Sequence, residues 1–327
     1  MVMAQALFIH LQQRRPGLEL EVLAPPWSGA LLARMPQVNR ALSLPFGHGQ
    51  LALGGRRRLG LELRAGGYRQ AIVLPNSLKS ALVPWFARIP RRTGWRGEMR
   101  YGLLNDLRVL DKAALPLMVQ RFIALGLDAG ESPTGDFPHP CLEVDPASVE
   151  SCREKYGVKE GAPILALCPG AEFGAAKRWP PEHYARLAGY YLERGWRVQL
   201  FGSDNDRPVC RAIREACGAD TACQDLAGET SLAEAVDLLS LASAVVSNDS
   251  GLMHIAAALE RPLVAVYGAT SPEFTPPLGT RASLQVSDID CAPCFRRECP
   301  LGHHRCMRDT SPETVLAKLE ALLGDTD

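Results

Sequence analysis

The chain has 327 residues, roughly the length of two domains that can each bury a full core. Its 36 Lys plus Arg balance 36 Asp plus Glu, so the total charge gives no support to a protein that coats nucleic acid or an acidic membrane. No apolar run reaches the roughly 18 residues of a membrane-spanning helix, and MVMAQALFIHLQQRRPG has neither a basic n-region nor a small-residue cleavage pattern, so a cytoplasmic chain is expected.

The chain opens in a helical pattern, Val2 to Arg14, leading to a strand at Leu18 to Pro25 and a helix at Trp27 to Met35. Helical periods return at Arg58 to Ala65, Ser77 to Ala87 and Pro116 to Leu125, with a strand, YRQAIVLP, at Tyr68 to Pro75. Two basic clusters fall in this part, Arg56 to Arg58 and Arg88, Arg91, Arg92, Arg96 and Arg100; each suits a solvated face or a groove for an anionic partner. A Pro- and Gly-rich stretch, Ala129 to Pro146, reads as a linker and separates an N-terminal domain, 1–140, from a C-terminal one, 147–327.

Beyond it, strands at Pro163 to Gly170, Arg197 to Ser203, Ser243 to Asn248 and Pro262 to Gly268 alternate with helices at Pro181 to Arg194, Pro208 to Cys217, Ser231 to Leu241 and Gly251 to Glu260. A last helix is expected at Ser311 to Leu323. This alternation predicts α/β domains with parallel sheets covered by helices, and ligands sit at the carboxyl ends of such strands. A doubly wound domain ordinarily begins with a strand, whereas this chain begins with the helix that should follow one. Either the domain starts with a helix, or its first strand is missing.

Asp249, Ser250 and Gly251 stand where a strand gives way to a helix. Asp249 or Ser250 can cap the helix, or the backbone N–H groups and the positive end of the helix dipole can hold a diphosphate without a metal. His254 lies one turn further on the same face, as a phosphate donor or as a packed core residue. The strand ending in CPGAEFGAAKRWP brings Lys177 and Arg178, and two such loops would converge on one ligand. LAGETSL before the Ser231 helix places Glu229 or Thr230 near a ribose, or supplies a cap from Thr230 or Ser231. No G-x-x-x-x-G-K-[ST] occurs, and no G-x-G-x-x-G follows a strand.

These residues are familiar. SNDSGLMHIAAALERPLVAVYGATSPEFTPPLG and CPGAEFGAAKRWP, with VLPNSLKSALVPWFARIPRRTGWRGEMRYGLLND and MPQVNRALSLPFGHG in the first half, resemble the ADP-heptose:lipopolysaccharide heptosyltransferases of glycosyltransferase family 9. The resemblance covers most of the chain. It implies a GT-B fold, two Rossmann-like domains around a cleft, with the donor on the second domain and the acceptor on the first. The implied reaction moves L-glycero-D-manno-heptose from ADP-heptose to the first heptose of the lipopolysaccharide inner core, with inversion and without a cofactor. It assigns the donor to Lys177, Ser250, Gly251 and His254, with Asp249 nearby and Thr230 as a further contact.

For the acidic acceptor, charge alone nominates Lys79, Arg92, Arg96 and Arg100. In the family an aspartate just before the opening helix is taken to be the general base. The expectation is therefore that a strand and that aspartate lie upstream of Met1, and Glu98, Asp106 and Asp111 are not put in its place. A lipid-anchored acceptor would bring the protein to the inner membrane's cytoplasmic face.

In a cytoplasmic chain ten cysteines favour reduced thiols or metal ligands over disulfides. Cys291, Cys294, Cys299 and Cys306 form C-x2-C-x4-C-x6-C with His303 and His304 inside the last interval, which suits a structural zinc and less well an iron–sulfur centre. Free thiols and a disulfide pair remain open alternatives.

Overall fold

The computed structural model describes residues 1–47, 49–133, 135–218 and 221–324. The chain divides into two compact units, one of Met3–Gly29 and Gln37–Pro138, the other of Met1–Val2, Ala30–Pro36 and His139–Asp327.

In the first unit β1 (Glu21–Ala24) pairs in parallel with β2 (Arg40–Ser43), and β3 (Gln70–Val73), β4 (Arg91–Trp95) and β5 (Asp106–Arg108) form a separate parallel sheet. The sequence reading found β1 and β3 and missed the others. β2 and β5 are three- or four-residue strands, and β4 reads as a basic cluster because Arg91 and Arg92 are its first residues. The helix expected from Arg58 begins earlier, at Leu53, and runs to Leu63. It packs on the helix Leu78–Phe86, and Gly60 is what permits this: a Cβ there would stand 2.5 Å from that of Phe86.

The second unit carries one six-stranded parallel sheet. Its strands are β6 (Ile164–Cys168), β7 (Arg197–Leu200), β8 (Cys223–Asp225), β9 (Ala244–Asn248), β10 (Leu263–Tyr267) and β11 (Ala282–Val286). They lie in the order β11-β10-β9-β6-β7-β8. β6, β9 and β10 are buried along their whole length, as expected of central strands covered on both faces. The chain winds outward one way from β6 to β8, then returns to β9 and winds the other way. The crevice between the carboxyl ends of β6 and β9 is thus the topological switch point, the place where this architecture binds ligands.

Among the described residues two α-helices of this unit escaped the sequence reading, besides the edge strands β8 and β11. One is the helix Pro146–Lys155, capped by Asp145, which accepts from Ala147 and Ser148 N–H at 3.3 Å each; the Asp-Pro pair at the end of the linker was the available signal. The other is the short helix Arg305–Arg308. Ala30–Pro36, in the N-terminal half of the sequence, belongs with this unit. The buried Asp237 accepts from the Arg34 guanidinium at 2.6 Å, and the Arg34 carbonyl accepts Glu143 N–H at 2.9 Å.

Candidate functional site

Because β9 lies between β6 and β10, the loops that follow these three strands meet at one point. Asp249, directly after β9, is buried at 7% exposure. Its Oδ2 accepts from Lys177 Nζ of the post-β6 loop at 2.5 Å and from Thr270 Oγ1 of the post-β10 loop at 2.7 Å. Lys177 Nζ also donates to the Asp249 carbonyl at 3.3 Å and stands 5.1 Å from the centre of the Phe173 ring. Thr270 was absent from the sequence reading; its position just past an apolar strand was the only clue.

The capping alternative is resolved by these bonds. Asp249 spends its carboxylate on Lys177 and Thr270. Ser250 has extended backbone, makes no side-chain cap, and places its hydroxyl 3.2 Å from that of Ser247. The first N–H groups of the helix Gly251–Ala258 therefore have no side-chain partner. A Cβ on the exposed Gly251 would meet nothing within 4 Å, so the space beside that residue is open. His254 is half-buried a turn later. Burial above all holds its pKa down at about 4, with the positive charges of the Met1 amino group and Lys177 adding to it against the pull of Asp249. A neutral imidazole follows near pH 7, able to donate one hydrogen bond but not a charge.

Thr230 is half-buried after β8, at the far edge of the sheet from β9, while the capping role goes to its neighbour: Ser231 caps the helix Leu232–Ser240 in a reciprocal pair with Glu234. Glu229 is paired with Arg207 at 2.6 Å. Taken together, an uncapped helix start, a lysine held at its edge and a neutral histidine can hold an anion in a partly dry setting.

The four cationic residues nominated in the first unit divide into two kinds. Arg100 is fully buried; its guanidinium donates to the Pro75 carbonyl at 2.6 Å, to the Trp95 carbonyl, and at 3.4 Å to Ser80 Oγ and Asn76 Oδ1. Arg92 donates to the carbonyls of Leu103 and Ile89 at 2.7 and 2.6 Å. Both brace the backbone with their guanidinium groups, Arg100 out of solvent and Arg92 half-buried. Arg96 is exposed on the loop after β4, and Lys79 is half-exposed in the first turn of the helix Leu78–Phe86; that loop meets the segment before the helix through the Glu98 N–H bond to the Asn76 carbonyl at 3.1 Å.

The carboxylates held back from the role of base are all engaged. Asp106 is kept down at about 2, first by its hydrogen bond with Arg108 and then by Thr93 and Arg91, against the opposing effect of burial. Glu98 accepts Leu78 N–H at 2.7 Å, and Asp111 accepts the N–H groups of Ala113 and Ala114.

Cys291, Cys294, Cys299 and Cys306 border one small cavity with His303. Among the described residues, however, no three of His, Cys, Asp and Glu are arranged to hold a metal ion, and none of the ten cysteines forms a disulfide. Within this group the Cys299 sulfur accepts the N–H of His304 at 3.4 Å, and amides of its own loop lower its pKa.

With this geometry in place, the comparisons with known proteins are decisive for the family. The profile of Glycosyltransferase family 9 (heptosyltransferase) matches residues 56–305. The chain belongs to glycosyltransferase family 9. Within that family it is 49% identical to lipopolysaccharide heptosyltransferase 2 of Escherichia coli K12, over 99% of this chain and 95% of that protein. It is 46% identical to lipooligosaccharide heptosyltransferase 2 of Haemophilus influenzae, over 99% of this chain and 96% of that one. The solved structure of E. coli ADP-heptose lipopolysaccharide heptosyltransferase II superposes with a TM-score of 0.90 at 46% identity, covering 99% of this chain and 95% of that structure. The fold class of this family 9 member is accordingly GT-B.

Proposed function

We propose that the chain transfers L-glycero-D-manno-heptose from ADP-heptose to the first heptose of the lipopolysaccharide inner core, inverting the anomeric centre; its similarity to proteins named lipopolysaccharide heptosyltransferase 2 and ADP-heptose lipopolysaccharide heptosyltransferase II supports the donor and the kind of acceptor. The observation that carries the donor half of this reading is the uncapped start of the helix Gly251–Ala258 beside Lys177. The donor's diphosphate takes the free N–H groups of that first turn, and Lys177 and His254 donate to its oxygens. As the glycosidic bond to phosphate breaks, negative charge grows on the departing ADP, and these groups stabilise it more than they stabilise the bound donor. No metal is needed for that task. Thr230 contributes a hydroxyl to the nucleoside side of the donor.

Lys79 and Arg96, whose charges the backbone does not consume, receive the anionic groups of the acceptor. None of Glu98, Asp106 and Asp111 serves as base, since each is committed elsewhere. No helix among the described residues is long and apolar enough to cross a membrane. The lipid-anchored acceptor draws the protein to the cytoplasmic membrane face, where exposed Arg57 and Arg58 favour an anionic surface.

The reading is tested by incubating the chain with ADP-heptose and a lipid A core acceptor bearing one heptose, and following the acceptor by mass spectrometry together with ADP binding by calorimetry. Gain of one heptose and release of ADP support it. An acceptor left unchanged while ADP still binds would reassign the chain to a different acceptor or to donor binding alone.

A further inference from the structure

Asn248 closes β9 and is fully buried, one residue before Asp249. Its carboxamide directs every hydrogen bond it makes across the sheet, toward the segment that follows β6. Oδ1 accepts from Trp179 N–H at 3.1 Å and from the Tyr184 hydroxyl at 2.9 Å. Nδ2 donates to the carbonyls of Pro169 at 2.6 Å and Gly170 at 3.5 Å. The orientation of the amide follows from its partners, because a backbone N–H can only donate and a carbonyl can only accept.

Pro169 and Trp179 are the two ends of the loop that carries Lys177, so one side chain ties both ends to β9. The middle of the loop has a second anchor. The Arg297 carbonyl accepts Ala176 N–H at 3.0 Å, and Gly174, at φ 154°, lies so close that a Cβ would stand 2.2 Å from that oxygen. Lys177 sits between the Arg297 anchor and the Trp179 anchor. Otherwise the loop's only regular structure is the 3-10 turn Ala175–Lys177.

We propose that Asn248 is a positioning residue which, together with the seating of Gly174 on the Arg297 carbonyl, presets the Lys177 loop for the donor's diphosphate. This rests on the donor reading above. A lysine ammonium on a flexible stem is placed only as well as the backbone beneath it, and an unanchored loop would have to be ordered at the moment of binding. Aspartate at 248 keeps the size and the acceptor but presents a negative oxygen to the Pro169 and Gly170 carbonyls. It therefore releases the front of the loop and leaves the back in place.

The test is a double-mutant cycle on ADP affinity, measured by calorimetry on the full chain, N248D, K177Q and the double variant, with G174A and G174A/K177Q as a second cycle. N248D weakens ADP binding about tenfold when Lys177 is present and by less than about twofold when it is Gln, and G174A repeats the pattern. An equal loss in both backgrounds overturns the proposal, since Asn248 would then serve the fold and not the lysine. If N248D does not fold, the Gly174 cycle decides by the same criterion. If K177Q weakens ADP binding while N248D and G174A leave it unchanged, the proposal falls and the donor reading stands. If K177Q itself binds ADP normally, the donor reading fails and the proposal with it.

Discussion

Both units carry cations on or just after parallel strands, and they treat them in opposite ways. On and just after β4, Arg92 and Arg100 turn their guanidinium groups onto main-chain carbonyls, and Arg100 loses all contact with solvent. After β6, the Lys177 ammonium shares its donors between a carboxylate and a carbonyl of one residue and stays at the rim of an open helix start, its side chain 13% exposed. A cation in a sequence is available to a ligand only to the extent that the backbone has left its donors free. Five-donor arginine can be absorbed by a loop far more completely than lysine can.

The comparison breaks most visibly at Arg100. Arg100→Ala leaves the carbonyls of Pro75 and Trp95 buried without their donor, and should cost about 3 kcal/mol in denaturant unfolding of the first unit. Full stability with a raised KM for the acceptor would instead return Arg100 to the binding surface. Next in size is the Asp106 network. Its pKa, lowered from 3.8 to about 2, means that folding binds fewer protons than unfolding, so the group contributes about 2 kcal/mol above pH 4, lost progressively as pH falls toward 2. Asp106→Asn should flatten that part of an acid unfolding curve; an unchanged acid slope would show that Arg108 and Arg91 do not hold it. Lys177→Gln follows, with donor affinity reduced about tenfold and no comparable change in the acceptor's KM. Equal losses for donor and acceptor would erase the contrast between the two units.

How much of this could be read from sequence depends on which physical signal each part leaves. β6 and β10 are apolar along their length and β9 over its first three residues, and the reading located all three together with the Asp249–Gly251 turn. Edge strands β8 and β11 carry no such run, since an edge position tolerates charge and brevity, and β4, central in its sheet, opens on two arginines. The same limit applies within the sites. Lys177, Ser250 and His254 stood out because their residue types suit phosphate. Asn248 and Thr270 did not, because their importance comes from the neighbours that strand order β10-β9-β6 supplies. The cysteine spacing was legible, whereas the N–H groups that donate to the Cys299 sulfur are set by the loop's backbone and leave no trace in the spacing.

The smallest effect is the one that separates the two kinds of arginine within a single unit. Arg96 is exposed and its side chain braces no carbonyl, so Arg96→Ala should leave unfolding unchanged within about 0.5 kcal/mol, in contrast to Arg100. Its contribution to an anionic acceptor is a solvent-exposed attraction, which ions screen over about 8 Å at physiological salt. The acceptor's KM should therefore rise about threefold in the variant at low ionic strength, with Lys79→Ala behaving alike, and the difference from the parent chain should shrink as salt is added. A loss that persists at high salt would mean a desolvated, directed contact, and Arg96 would then resemble Lys177 more than its own neighbours.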